Sequence, residues 1–153
     1  MAVAAFATLA FLYRQVRIMV HQVASSQDAS RASAALAIVA HLQSQDVRSA
    51  REVVRSKLRC KQFSDWTPDE RRCASTVCAN YDVAAALLRA DLAPVELFAS
   101  NWGPSIRDCH DVLRPFVQEH RTGPGADPSY WSNFDWLDDE VARRLPTRSP
   151  TGE

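Results

Sequence analysis

Glycine is scarce in this chain, 4 in 153 residues, and none of the glycine-rich turns that cradle a phosphate or raise a nucleophile is present. There is no phosphate loop, no G-x-S-x-G and no H-E-x-x-H. The four cysteines, Cys60, Cys73, Cys78 and Cys109, form no C-x-x-C pair. His21, His41, His110 and His120 show none of the close spacings of zinc ligands. No metal site and no cofactor is therefore expected. Period-two alternation of apolar and polar residues is also missing, which argues against sheets. No internal repeat appears. The longest apolar run, Met1–Tyr13, is interrupted only by Thr8. As a helix it would extend about 20 Å, short of the roughly 30 Å hydrocarbon core of a bilayer.

That run ends at Arg14 and Arg17, so its positive charge follows the apolar stretch rather than preceding it, the reverse of a secretory signal. Read by the positive-inside rule, it forms the inner half of an anchor with the N-terminus out and the rest in the cytoplasm. Either a longer frame upstream completes the span or the helix lies partly in the interface. Net charge is zero, yet residues 1–62 carry 9 Lys/Arg against 3 Asp/Glu, whereas residues 63–153 carry 9 against 15. A basic half behind an apolar N-terminus suits an anionic membrane surface. The cysteines of the central region lie on or beside apolar stripes, which favours reduced, buried roles in a reducing compartment; a Cys60–Cys73 bridge is the alternative.

What the chain has is helix. Hydrophobic residues make up 46% of it, enough for a core of its own. Val16, Met19, Val20 and Val23 continue a stripe beyond the N-terminal run, and Ser25–Ser30 reads as a polar interruption or hinge. Ala35, Ile38, Val39 and Leu42 then share a face. Asp46 caps a helix running to about Cys60, with Val47, Ala50, Val54 and Leu58 inward. The clearest start is Thr67-Pro68-Asp69-Glu70, an N-cap, a proline at the first helical position and a capping box. Behind it Ala74, Val77, Cys78, Tyr81, Ala85 and Leu88 fall at spacings of three and four. Pro94 opens a short helix that Gly103-Pro104 ends, and Ile106 to His120 make another, kinked at Pro115. Thr122–Pro128 is a loop. A last helix over Ser129–Leu145 places Tyr130, Phe134, Leu137 and Val141 on one side.

Two groups of residues invite a functional reading. Asp82, beside Tyr81 on the central helix, needs a partner if half-buried, and Arg114 or Arg89 can supply it as a structural polar network. The enzymatic version is a small hydrolase-like site centred on Asp82, Tyr81 and Arg114, with His110 nearby; no nucleophile is named by the sequence, and no catalytic residue is assigned. Cys109-His110 reads as a core thiol beside a surface imidazole. Opposite the apolar face of the second helix runs a basic row, Arg48, Arg51, Arg55 and Arg59, able to meet phosphates of an anionic lipid surface or of nucleic acid. The segment Pro94–Trp102, the recognition helix of a helix-turn-helix reading, has no Arg or Lys, which counts against nucleic acid.

Arg14–Arg17, CANYDVAAALLRADL over Cys78–Leu92, NWGPSIRDCHDVLRPFV over Asn101–Val117 and YWSNFDWL over Tyr130–Leu137 together resemble a bacterial family of small proteins of unknown function. The resemblance implies one N-terminal membrane helix and a compact helical cytoplasmic domain. Two features depart from it: the apolar run is shorter than a span, and Ala90 stands where a helix-ending glycine would be natural. The expected organisation is all-α. A membrane-proximal helix over 1–24 precedes a bundle of about five helices over 25–145 and a disordered tail over 146–153. The expected role is a non-enzymatic interaction or regulatory module on the cytoplasmic face of the inner membrane, meeting the membrane through its N-terminus and a protein partner through helical surfaces.

Overall fold

The computed structural model describes residues 2–123 and 125–145, and the tail expected over 146–153 lies outside them. Five α-helices follow one another: α1 (Ala2–Leu42), α2 (Gln45–Glu52), α3 (Pro68–Arg89), α4 (Val95–Thr122) and α5 (Ser132–Arg144). Among the described residues there is no strand. The fold is the all-α bundle that the spacings imply. The hinge expected at Ser25–Ser30 is absent, because α1 is one helix of 41 residues. Nothing in SSQDAS removes a backbone donor, and these side chains are exposed, so none competes for the helix ladder. Among the described side chains of α1, Ala35, Ile38 and Leu42 are the ones buried against the bundle. Ile18, Met19, Val20 and Val23 are exposed.

Val47, Ala50, Val54 and Leu58 face inward as their spacing implies. The segment is not one regular helix, however. At Val53–Lys57 the ladder widens into a π turn, and it closes through a 3₁₀ turn at Leu58–Cys60. The capping box at the head of α3 is complete: Glu70 N donates to Thr67 Oγ1 at 3.3 Å, and Thr67 N donates to the Glu70 carboxylate at 2.9 Å. The other end of α3 closes without glycine. Asp91 N bonds Leu88 O, Leu92 N bonds Leu87 O, and Asp91 takes the left-handed conformation at φ 58°. Asp tolerates that region better than most residues, and Arg31 of α1 holds its carboxylate and its carbonyl. The left-handed position is thus Asp91, one residue beyond Ala90.

The expected break at Gly103-Pro104 is likewise absent, and α4 runs through Pro104 and Pro115. Both prolines lie on the exposed face, where water can take the carbonyls they release and the helix can bow around the core. Gly103 faces the other way. A Cβ built there would sit 2.8 Å from Leu145 Cδ1 and 3.0 Å from Val141 Cγ1, so its glycine lets α5 lie close on α4. The core joins α3, α4 and α5 around Tyr81, Phe98, Ile106, Leu113, Phe134 and Leu137. Tyr81 stacks on Phe134 at 5.2 Å between ring centroids. The last helix starts at Ser132, later than expected. Tyr130 is exposed, and Trp131 is buried in its place, left-handed at φ 56° and stacked on Phe116 at 5.5 Å. A left-handed tryptophan costs about 1–2 kcal/mol, which burial of the indole offsets. All four cysteines are free: Cys78 and Cys109 are buried, Cys73 is half-buried and Cys60 is exposed.

Candidate functional site

The four arginines of the basic row all border one open pocket of about 410 Å³, whose far wall is Trp102 and Asp108 of α4. One of them departs from the expected solvent-facing row. Arg51 is only 9% exposed. Val47, Arg51, Val54 and Leu58 are spaced four, three and four, so Arg51 belongs to the apolar stripe itself. Its Nη2 donates to Leu42 O at 2.9 Å, satisfying one of the orphan carbonyls at the C-terminus of α1 and placing a cation where the helix dipole favours it. Its Nη1 is buried and has no hydrogen-bond partner. A buried guanidinium N–H left open is unfavourable by about 1–3 kcal/mol.

Three polar groups of the core gather behind Arg51. Ser105 Oγ, on the pocket wall, lies 3.3 Å from the Tyr81 hydroxyl. Burial pushes the Tyr81 phenol up, while the adjacent Ser105 hydroxyl and the Arg51 guanidinium pull it down. Burial also pushes the Cys109 thiol up to about 11 against the pull of Arg55 and Arg51. Both groups are therefore neutral near pH 7 and act as dipoles, not charges. At the rim, Asp108 holds Arg59 at 2.9 Å and Arg55 at 3.4 Å. No ion pair among the described residues takes Arg48 or Arg51. Four guanidinium groups against the carboxylates of Glu52 and Asp108 leave 4 − 2 = +2 on the pocket. The π turn lies between Arg51 and Arg59 and changes how their side chains are aimed, a type of irregularity common at functional sites.

The Asp82 group does not assemble as expected. Asp82 Oδ1 accepts from Asn133 N at 2.9 Å and Phe134 N at 3.1 Å, and Oδ2 accepts from Asn133 Nδ2 at 3.2 Å. From α3 it caps the N-terminus of α5, whose own N-cap position is Trp131 and supplies no side-chain acceptor. Arg89 reaches the same place by donating to Asn133 Oδ1 at 2.9 Å. Arg114 is elsewhere. It points to solvent from α4 and pairs with Asp111 at 2.9 Å, because its neighbours Leu113, Phe116 and Val117 hold the buried face. His110 is not a surface residue. Its Nε2 lies 2.9 Å from Asp135, its Nδ1 lies 3.3 Å from Asp138, and its ring edge meets Phe134 at 5.1 Å. The Nδ1 contact is close enough for an ion pair but misaligned for a hydrogen bond. Arg121 completes this α4–α5 seam at 2.6 Å from Asp135. Asp82, Tyr81, Arg114 and His110 thus each have different polar partners, and none of them lines a pocket described among these residues. Among the described residues no cluster of His, Cys, Asp and Glu is arranged to hold a metal ion.

Fold and site together define an all-α module with a long, partly free N-terminal helix and a basic pocket between its second helix and α4. Residues 1–140 match the family described as "Domain of unknown function (DUF4760)", and the chain belongs to that family. No curated protein and no solved structure matches it.

Proposed function

We propose that this chain is a non-enzymatic interaction module held against the cytoplasmic face of a membrane by α1. The observation that carries the reading is the free part of α1. Ahead of the packed Ala35, Ile38 and Leu42, large apolar side chains at Ile18, Met19, Val20 and Val23 stand exposed beside Arg14 and Arg17. They follow the apolar run of Ala2–Tyr13 on the same helix. Among the described residues no helix is long and apolar enough to cross a membrane. The geometry that fits is an interfacial helix, its apolar residues in the acyl boundary and its arginines at anionic headgroups. Arg48, on α2, brings further positive charge to the module, and its helical surfaces remain for a protein partner.

Two other readings have less support. A hydrolase centred on Asp82 lacks the convergence it needs, since Asp82 is engaged at the head of α5. Nucleic-acid binding needs a continuous basic ridge, whereas Arg51 is buried and Asp108 ties down Arg55 and Arg59. Fractionation of cells expressing the full chain tests the proposal. The protein is expected in the membrane fraction and released by alkaline carbonate, as an interfacial helix is. A wholly soluble protein contradicts membrane association, and retention through carbonate contradicts the interfacial arrangement.

A further inference from the structure

We propose that the pocket between α2 and α4 binds the phosphate group of a phosphomonoester, with Arg51, Arg48 and Ser105 as its donors. The strongest pointer is Arg51, a side chain 9% exposed whose guanidinium lines the pocket beside the Tyr81 hydroxyl and whose buried Nη1 has no aligned hydrogen-bond acceptor. A guanidinium fixed through its other nitrogen to Leu42 O is already oriented, so little rotamer freedom is lost when an oxyanion arrives. Arg48, uncommitted to any carboxylate among the described residues, adds a second donor from the rim. The Ser105 hydroxyl adds a third, since Tyr81 can donate to Ser105 Oγ and leave its proton free for the ligand.

The charge selects among anions. A pocket carrying +2 matches a dianion, which a phosphomonoester approaches near neutral pH and a phosphodiester or carboxylate does not. The volume of about 410 Å³ exceeds what one phosphate fills and lies in the range of small-molecule sites, and Trp102 gives the organic part an aromatic wall. Asp108 opposes binding in two ways. Its charge repels the dianion, and it holds Arg55 and Arg59 away at 3.4 and 2.9 Å. The site therefore contains its own competitor, and neutralising Asp108 should tighten it. Phosphate binding at this pocket does not depend on membrane association. The phosphate can belong to a soluble metabolite or to a lipid headgroup of phosphatidic-acid type.

Calorimetric titration of the full chain with inorganic phosphate, against acetate at matched ionic strength, tests the free source. Flotation with phosphatidylcholine vesicles containing phosphatidic acid, against vesicles containing phosphatidylglycerol, tests the headgroup source. Because Arg51 also holds α1, the variants chosen are the rim substitutions Arg48→Gln and Asp108→Asn, each checked for native helicity. Saturable phosphate binding, weakened roughly tenfold or more by Arg48→Gln and strengthened by Asp108→Asn, supports a site for free phosphomonoesters. Preference for phosphatidic acid, with the same response to the two variants and no binding of inorganic phosphate, supports the headgroup. The proposal is overturned if neither probe is preferred. It is also overturned if Asp108→Asn leaves binding unchanged, since a merely diffuse basic surface would behave that way. Phosphate binding by a chain that never associates with vesicles would separate this site from the membrane reading.

Discussion

Replacing Asp82 by alanine removes three hydrogen bonds at once, and the expected loss can be worked from their geometry. Two of them satisfy backbone N–H groups of Asn133 and Phe134 in the first turn of α5, and the third holds the Asn133 amide. A lost N-cap is worth about 0.5–2 kcal/mol, and a hydrogen bond to a charged acceptor about 1.5–3 kcal/mol. These terms overlap, because the same carboxylate makes all three contacts at a half-buried position. Trp131 has no capping side chain, and its carbonyl shares only the Phe134 N–H, at 3.1 Å, so the Asn133 N–H is the donor left without an acceptor. The sum for Asp82→Ala is about 2–3 kcal/mol, or roughly 4–12 °C in Tm for a chain of this size. Asp82→Asn keeps one acceptor oxygen and loses the charge facing the helix dipole, so about 1 kcal/mol is expected. Arg114→Ala, the control at the partner expected from sequence, should change stability by less than about 0.5 kcal/mol, since it breaks only an exposed i,i+3 pair. Urea denaturation gives the energies, and hydrogen exchange shows where they act: protection should fall first at Asn133 and Phe134. Equal losses for Asp82→Ala and Arg114→Ala would refute the capping argument.

Gly103→Val should destabilise by about 2–3 kcal/mol in the same assay, because its side chain meets Leu145 and Val141 and a β-branched residue fits a helix poorly. Gly103→Ala should fall within about 1 kcal/mol of the parent, since better helix propensity opposes a clash that Leu145 can relieve. Iodoacetamide at neutral pH should label Cys60 in the folded chain and leave Cys78 and Cys109 unmodified until denaturant is added, as read by intact mass; labelling of Cys109 at the rate of Cys60 would contradict its burial. Burial raises the Asp138 carboxyl, with His110 and Arg107 opposing. A carboxyl whose folded pKa is raised binds its proton more tightly when folded, so its contribution is fully present at acid pH and declines as pH rises through the raised value. Asp138→Asn, which keeps a neutral side chain at every pH, should therefore gain stability relative to the parent as pH rises across and just above the carboxylate range, and a parent that gains on the variant over that range would reverse the sign of the argument.

The parts of the fold legible in the sequence are those set by local rules. Thr67 to Glu70 is a capping box whose two bonds involve four consecutive residues, and the stripe behind it needs only helical period. What was not legible depends on what a residue meets across the fold. Gly103-Pro104 looks like a break because glycine and proline usually end helices. Only the approach of Val141 and Leu145 shows that the glycine is there for packing and that Pro104 faces solvent. Asp82 needed a partner, and an arginine is the obvious choice in sequence. The actual partner is a set of backbone N–H groups, which every sequence contains and none advertises. Arg51 is different, because its signal was present. It falls on the Val47–Val54–Leu58 stripe at helical spacing, and a charge on an apolar stripe is the mark of a buried, tethered group. His110 falls beside the Cys109 stripe, and only the arrival of Asp135 and Asp138 from α5 shows it to be half-buried.

The central claim is that the free part of α1 lies against a bilayer while the bundle stays in water. Placing a fluorophore at Val23→Cys, with Cys60 and Cys73 changed to serine and Cys78 and Cys109 left buried, tests it directly with spin-labelled lipids in anionic vesicles. The account predicts quenching of the probe at position 23 and none of a probe kept at Cys60 on the bundle. An unquenched probe at position 23, in a chain whose helicity is intact, would contradict it.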